Sequence, residues 1–465
     1  MIWLLLLLIS IVQVTLIWKY ILLKNQDPGK TIVWFFVLGL LPILGFLLYK
    51  VLGQKAPGKG TNTKLLAQDQ LVRTEILPQH FEDYEQKLAH LLLKNGPAHL
   101  TIHNQVEILL NGQQKFRALF NALEGASHHI HLSYFIFKDD EIGEDVMKIL
   151  ARKVSEGVEV RILLDGMGSL SISGGLMKRM RAAGIRAEWF FPIRFPYLTA
   201  RLNLRYHRKI VVVDGRTGFT GGLNIGDEYL SRDSKLGFWR DTHLKLQGEA
   251  VQSLQSIFLN DWQFVTGEVY HGSYYFPQTS IMQNLPMQIL VGGPDSNYPA
   301  ILQSFFSMIT MAKHCIYIET PYFIPDESLI MALKTAALKG LDVRIIVQGI
   351  PESKLTYWAM NSYFEDLLQA GVKIFKYIKG TLHAKILLID QQLASVGSAN
   401  MDLRSFFLDY EICTYIYDQT LTEHLKQNFE SDLKESLEVI FTDFLQRSMF
   451  DRSKESMARL FSSLL

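Results

Sequence analysis

The sequence predicts an α/β fold made of two similar halves behind an apolar N-terminal stretch. Three observations carry that prediction. From residue 106 onward, short apolar runs alternate with segments of helical spacing, strand and helix in turn. The same order of segments starts again near residue 288. One motif is also written twice: His207-Arg208-Lys209, four residues and Asp214, then His383-Ala384-Lys385, four residues and Asp390. Seven residues past each aspartate the echo continues, as Gly221-Gly222-Leu223-Asn224 and Gly397-Ser398-Ala399-Asn400.

Taken in order, residues 2–23 are almost wholly apolar, and a second apolar run spans residues 31–52 after a polar turn. Each run is about 20 residues, the length needed to cross a hydrocarbon core. The expectation is a two-helix transmembrane hairpin over 1–53, multi-pass and integral to a membrane. Lys50, Lys55, Lys59, Lys64 and Arg73 follow the second run, against Lys24 and Lys30 in the turn. That bias places the C-terminal body in the cytoplasm. Residues 54–103 read as a linker and a capping helix near 80–93.

The first half is expected over 104–275, with strands at 106–110, 130–137 and 158–164 and helices at 114–123 and 144–154. The second is expected over 276–465, with strands at 288–291, 315–319 and 343–347 and helices at 299–311 and 328–337. Alternation of this kind argues for a mostly parallel sheet flanked by helices. Gly157-Val158-Glu159-Val160-Arg161 against Gly340-Leu341-Asp342-Val343-Arg344 supports the duplication. Cys315 and Cys413, the only cysteines, sit in apolar runs and read as buried thiols, with no metal-ligand spacing. The balance of 47 basic and 46 acidic residues argues against a nucleic-acid partner.

In a strand, residues i and i+2 share a face, so each histidine points the same way as the lysine of its motif. The apolar residues that follow bury the strand and leave His207, Lys209, His383 and Lys385 at its mouth. Lysine binds a phosphate oxygen as a point charge. Asn224 and Asn400 can add amide donors, and Ser398 a hydroxyl. Two facing half-sites then surround one phosphodiester, with no cofactor or metal required. Asp214 and Asp390 fall where the strands turn back and read better as turn residues than as chemistry. Each histidine needs a partner to fix its tautomer. Asp241 and Glu411 open the next strand of their halves, which pairs Asp241 with His207 and Glu411 with His383. His243 has no counterpart in the second half.

With these residues the chain resembles the phospholipase D superfamily, whose hallmark is the paired His-x-Lys-x4-Asp motif. More narrowly it is similar to bacterial cardiolipin synthases over nearly its whole length, including Trp239 to His243, Thr320 to Pro325, Asp402 to Phe406 and the C-terminal Arg459-Leu460-Phe461. The resemblance implies duplicated phospholipase D-like halves and catalytic roles for His207, Lys209, Asp214, His383, Lys385 and Asp390. It implies a bacterial cell membrane location and phosphatidyl transfer between two phosphatidylglycerol molecules, with anionic membrane lipids as partners. One histidine would attack phosphorus, and by analogy this is His207, with His383 as acid and base. A phospholipase releasing phosphatidic acid, and a lipid-binding scaffold, are the competing readings.

Overall fold

The computed structural model describes residues 28–49, 78 and 81–462 except 170–173, 193–202, 279, 351 and 352, with scattered positions among the first nineteen. Among the described residues twenty strands run in chain order. In the first half these are β1 (Thr101–Leu110), β2 (His129–Tyr134), β3 (Glu159–Asp165), β4 (Arg186–Phe190), β5 (Arg205–Tyr206), β6 (Ile210–Val213), β7 (Thr217–Gly221), β8 (Phe238–Arg240) and β9 (Thr242–Gly248). The second half has β10 (Asn284–Gly292), β11 (Cys315–Thr320), β12 (Phe323–Ile324), β13 (Asp342–Gln348), β14 (Lys373–Tyr377), β15 (Gly380–Leu382), β16 (Ile386–Ile389), β17 (Leu393–Gly397), β18 (Met401–Asp402), β19 (Asp409–Ile416) and β20 (Ser436–Glu438).

The main sheet runs β20-β14-β13-β11-β16-β17-β19-β10-β1-β9-β7-β6-β2-β3-β4. Read outward from the antiparallel seam between β1 and β10, the halves repeat: β1-β9-β7-β6-β2-β3-β4 on one side, β10-β19-β17-β16-β11-β13-β14 on the other. The expected duplication is therefore the symmetry of the sheet.

The expectation of a mostly parallel sheet is corrected. Along this path, among the described residues, only the outer trios, β2-β3-β4 and β11-β13-β14, are parallel. Between them the ladders are antiparallel, from β2·β6 through the seam to β11·β16. Parallel strands need helical crossovers, and those follow β2, β3, β11 and β13. After each motif the chain instead turns straight back through a hairpin, β6 to β7 and β16 to β17.

Each motif feeds a strand buried on both faces, Ile210–Val213 or Ile386–Ile389, whose apolar run suits a strand covered on both sides. On one face a single core crosses both halves, joining Ile210, Val212, Leu244 and Phe258 to Tyr317, Leu388, Ile416 and Phe429. The last long helix of each half, Glu249–Thr266 and Gln419–Lys434, contributes to it. The halves therefore share one core and do not pack as separate units.

Ahead of the body, helix Asp83–Asn95 stands close to the predicted capping helix. The first predicted span lies largely outside the described residues. Where the second was expected there are two shorter helices, Pro28–Leu40 and Pro42–Leu48, separated at Leu41 by a proline that brings no N–H. Among the described residues no helix is long and apolar enough to cross a membrane.

Candidate active site

His207 is buried and His383 is partly buried, and each Nδ1 meets a carboxylate. His207 Nδ1 lies 2.8 and 3.0 Å from the two oxygens of Glu411. His383 Nδ1 lies 2.7 Å from Asp241 Oδ2. A carboxylate only accepts, so each Nδ1 carries the hydrogen and each Nε2 keeps its lone pair. The pairing crosses the halves and reverses the expected one.

The backbone explains the crossing. β5 runs parallel to the start of β19, with Tyr206 opposite Tyr410, and the next rung sets His207 beside Glu411; His207 N donates to Tyr410 O at 2.9 Å. β15 runs parallel to β8, with Leu382 opposite Arg240, and His383 N donates to Arg240 O at 2.7 Å. The strand ahead of each histidine thus pairs with the strand ahead of the other half's acid.

Each lysine folds back on its own motif: Lys209 Nζ donates to His207 O at 2.7 Å, and Lys385 Nζ donates to His383 O. Burial pulls the His207 imidazole down to about 4; Glu411 opposes that shift, and Lys209 and Lys385 reinforce it. Burial and then Lys385 pull His383 down to about 3 against Asp241, with Lys209 adding to the drop. Each histidine therefore feels the lysines of both halves, in keeping with the cross-half strand pairs that bring the two half-sites together. Burial lowers the Lys209 amine to about 7, opposed by Glu411 and assisted by Lys385.

The remaining predicted residues separate into two groups. Asp214 and Asp390 stand outside the cleft, each in the left-handed region at φ 54° and 51°. Asp214 accepts from the backbone N–H groups of Ser127, His128 and His129 at 2.8 to 2.9 Å and from the Ser127 hydroxyl. Asp390 accepts from Lys313, His314 and Cys315 at 2.6 to 2.9 Å. Each ties its motif hairpin to the loop entering β2 or β11. Both carboxylates are thus taken up by backbone N–H groups at these turns. The Ser398 hydroxyl donates to Glu411 Oε2 and so braces the acid. Asn224 donates to Tyr229 Oη at 3.1 Å and accepts from Ile136 N at 3.2 Å, while Lys115 Nζ holds its carbonyl at 3.2 Å. Asn400 is buried beside Asp402, with Oδ1 unbonded among the described residues.

Beneath each pair lies a support that the sequence reading missed. Arg208 is buried, binds both oxygens of Asp261 at 2.6 and 2.7 Å, and donates Nε to Glu411 O at 3.2 Å. Arg240 is buried, donates Nε to Asp432 at 2.6 Å and Nη1 to Asp241 O at 2.7 Å, and lies 3.6 Å from Glu319. At each orienting acid, then, a buried guanidinium of the first half grips the acid's own carbonyl and is held by an aspartate, Arg208 by Asp261 of helix Glu249–Thr266 and Arg240 by Asp432 of helix Gln419–Lys434. Asp261 and Asp432 sit at matching places in those helices, a clue that a comparison of the two halves can recover. The arginines could not be found that way, because one follows its histidine and the other precedes its acid. Phe135 and Trp239 close over the two imidazoles, at ring-centroid distances of 4.9 Å from His207 and 5.1 Å from His383.

Two His–Lys half-sites at the seam of a duplicated α/β sheet define a phospholipase D-like architecture. The fold is shared with the crystal structure of a phosphatidylserine synthase from Haemophilus influenzae, at TM-score 0.62 and 17% identity over 82% of this chain and 100% of that one. It is shared less closely with a polyphosphate kinase from Porphyromonas gingivalis, at TM-score 0.51 and 13% identity over 73% of this chain and 49% of that one. Residues 119–262 and 305–433 match the family described as "Cardiolipin synthase, PLD-like domain". The chain is 42% identical to cardiolipin synthase 2 of Bacillus cereus over 98% of its own length and 90% of that protein. It is 41% identical to the cardiolipin synthase of Oceanobacillus iheyensis over 98% of both. The chain belongs to the cardiolipin synthase family.

Proposed function

We propose that the chain joins two phosphatidylglycerol molecules into cardiolipin and free glycerol by double displacement on a histidine. The observation carrying this reading is the crossed pair of buried His–carboxylate couples with both motif lysines beside them. The Nε2 lone pair of His207 bonds to phosphorus as the bond to the glycerol oxygen breaks, and protonated His383 gives that oxygen its proton. Neutral His383 then takes the proton of a hydroxyl on a second phosphatidylglycerol. That oxygen bonds to phosphorus, the P–N bond breaks and His207 returns as it began.

His207 is assigned the covalent role because both oxygens of Glu411 reach it and Ser398 braces that acid. Such an arrangement best stabilises the positive charge on a phosphorylated imidazole. Within the protein's own surroundings His383 is held neutral, at about 3. An incoming phosphodiester monoanion raises that value, so the substrate itself helps charge the acid. Lys209 and Lys385 serve the equatorial oxygens, and Phe135 and Trp239 keep out water that would divert the intermediate to phosphatidic acid.

The apolar run at 2–23 and the stretch through 31–52 form the membrane hairpin of this reading, with the body on the cytoplasmic side. The deciding experiment follows cardiolipin, glycerol and phosphatidic acid by mass spectrometry in phosphatidylglycerol vesicles. Cardiolipin with equimolar glycerol supports the transferase. Phosphatidic acid in its place makes the chain a hydrolase, and no turnover leaves a lipid-binding scaffold.

A further inference from the structure

The C-terminal stretch carrying Arg459-Leu460-Phe461 takes no part in the chemistry above, and its helix faces the wrong way for a globular protein. Helix Met449–Arg459 starts at Ser448, whose hydroxyl accepts from Asp451 N. Glu455, Ala458 and Ser462 are its buried residues. They turn it against the body, where Tyr363 Oη donates to Ser462 Oγ at 3.0 Å and the Arg459 guanidinium lies 4.4 Å from the Tyr363 ring. At about 100° per residue, Met449, Phe450, Met457, Leu460 and Phe461 share an arc of roughly 120° opposite the buried one, with only Ser453 among them. These five are 83, 70, 63, 77 and 46% exposed. A surface helix ordinarily turns its apolar stripe to the core; this one turns it to the outside.

Two further observations say what covers the stripe. Arg452 and Arg459 line one edge and Lys454 the other; Arg452 pairs with Glu365 and Lys454 with Asp451, the one exposed acid of the helix, and these basic edges suit an anionic layer over the stripe. The helix is also mounted at the His383 end of the fold. Lys454 lies over the ring of Trp358 in helix Lys354–Asn361, which follows β13. The last residue of β13, Gln348, accepts from the backbone N–H of Leu382, next to His383. Between the two in sequence, Ile350 and Leu355 are further exposed apolar residues.

We propose that the outer face of helix Met449–Arg459 is a lipid-docking surface that lies in the headgroup layer of an anionic bilayer and holds the cleft at the substrate. The proposal rests on the transferase reading for its substrate but is tested apart from it. Both native cysteines are buried, so the full chain carries an environment-sensitive fluorophore at Met457→Cys, or at Lys148→Cys on an exposed helix of the other half. Quenching by a shallow nitroxide lipid is read in vesicles of phosphatidylglycerol and of phosphatidylcholine. Strong quenching at 457 but not 148, greater in phosphatidylglycerol, is expected. Equal and weak quenching at both sites overturns the proposal. So does label self-quenching at 457 without lipid, which would mean that a second copy covers the stripe. In parallel, the double variant Phe450→Glu, Leu460→Glu should lose at least tenfold in rate on vesicles and keep its rate on dispersed short-chain phosphatidylglycerol. Equal rates on vesicles overturn the docking surface, whereas a wild type without cardiolipin product overturns the transferase and leaves the quenching result standing.

Discussion

Around His207 the orienting acid is Glu411, and Ser398 stands beside it as a donor. Around His383 the acid is Asp241, one methylene shorter, and the place of Ser398 is taken by Gly222. A Cβ at Gly222 would meet Asp241 Oδ1 at 2.2 Å, so the glycine is the space the carboxylate occupies. A longer acid with a hydroxyl brace and a shorter acid with a gap both bring an oxygen to 2.7 or 2.8 Å from Nδ1. The layer below differs more. Arg208 answers to one carboxylate, Asp261, whereas Arg240 has two within reach, Asp432 and Glu319. One guanidinium balances one of those two. The other keeps its proton, and burial and Asp432 lift the Glu319 carboxyl to about 8. The halves have kept the geometry at the imidazole and let its supports drift.

The comparison breaks first at the histidines. His207→Ala and His383→Ala should each lower cardiolipin formation by roughly 10³-fold or more, since the two act as a unit. A variant keeping a tenth of the activity would show that one half-site suffices. Glu411→Gln and Asp241→Asn should cost roughly 10² to 10⁴-fold by releasing the tautomer. Nitrogen NMR of the imidazoles tests the crossing itself: Glu411→Gln should move His207 and leave His383 in place, and a shift at His383 instead would restore the within-half pairing.

Exchanging the local solutions sharpens it. Gly222→Ser drives a side chain into Asp241 and should slow turnover tenfold or more, measured at saturating lipid. Ser398→Gly removes the hydroxyl that donates to Glu411 and accepts from Ile412 N, leaves the His207–Glu411 contact in place, and should cost only a few-fold, about 1 kcal/mol. Below the site, Asp261→Asn strands a buried guanidinium and should destabilise the fold by about 3–5 kcal/mol in urea titration. Asp432→Asn should cost less, because Glu319 can ionise in its place.

The smallest effect is in pH. Both imidazoles are held neutral in the fold, at about 4 and 3, yet titrate near 6.5 when unfolded. The unfolded chain therefore binds more protons below 6.5, so stability is full above that value and falls as pH drops through 4 to 3. His207→Gln should flatten the urea-midpoint profile between 6.5 and 4. His383→Gln should flatten it to slightly lower pH.

The legible part of the site was its covalent pattern. The doubled motif placed both histidines and both lysines, and the turn chemistry of aspartate already favoured a structural role for Asp214 and Asp390. Which acid serves which histidine was not legible, because the internal repeat gives each half one of each and says nothing about strand partners. That choice is made by β5 and β15, two and three residues long, which leave no periodicity to read. The helix–strand alternation located the outer parallel trios. The antiparallel middle was missed because its hairpins look like any other buried apolar run.

The crossed acids also bear on the order in which the chain is made. A nascent chain exposes His207 some two hundred residues before Glu411 exists. His383, in turn, arrives to find Asp241 already in place. Until residue 411 has folded onto β5, the first imidazole lacks the carboxylate that holds its Nδ1 hydrogen, so under the proposed double displacement the two half-sites are complete only once the second half has closed against the first.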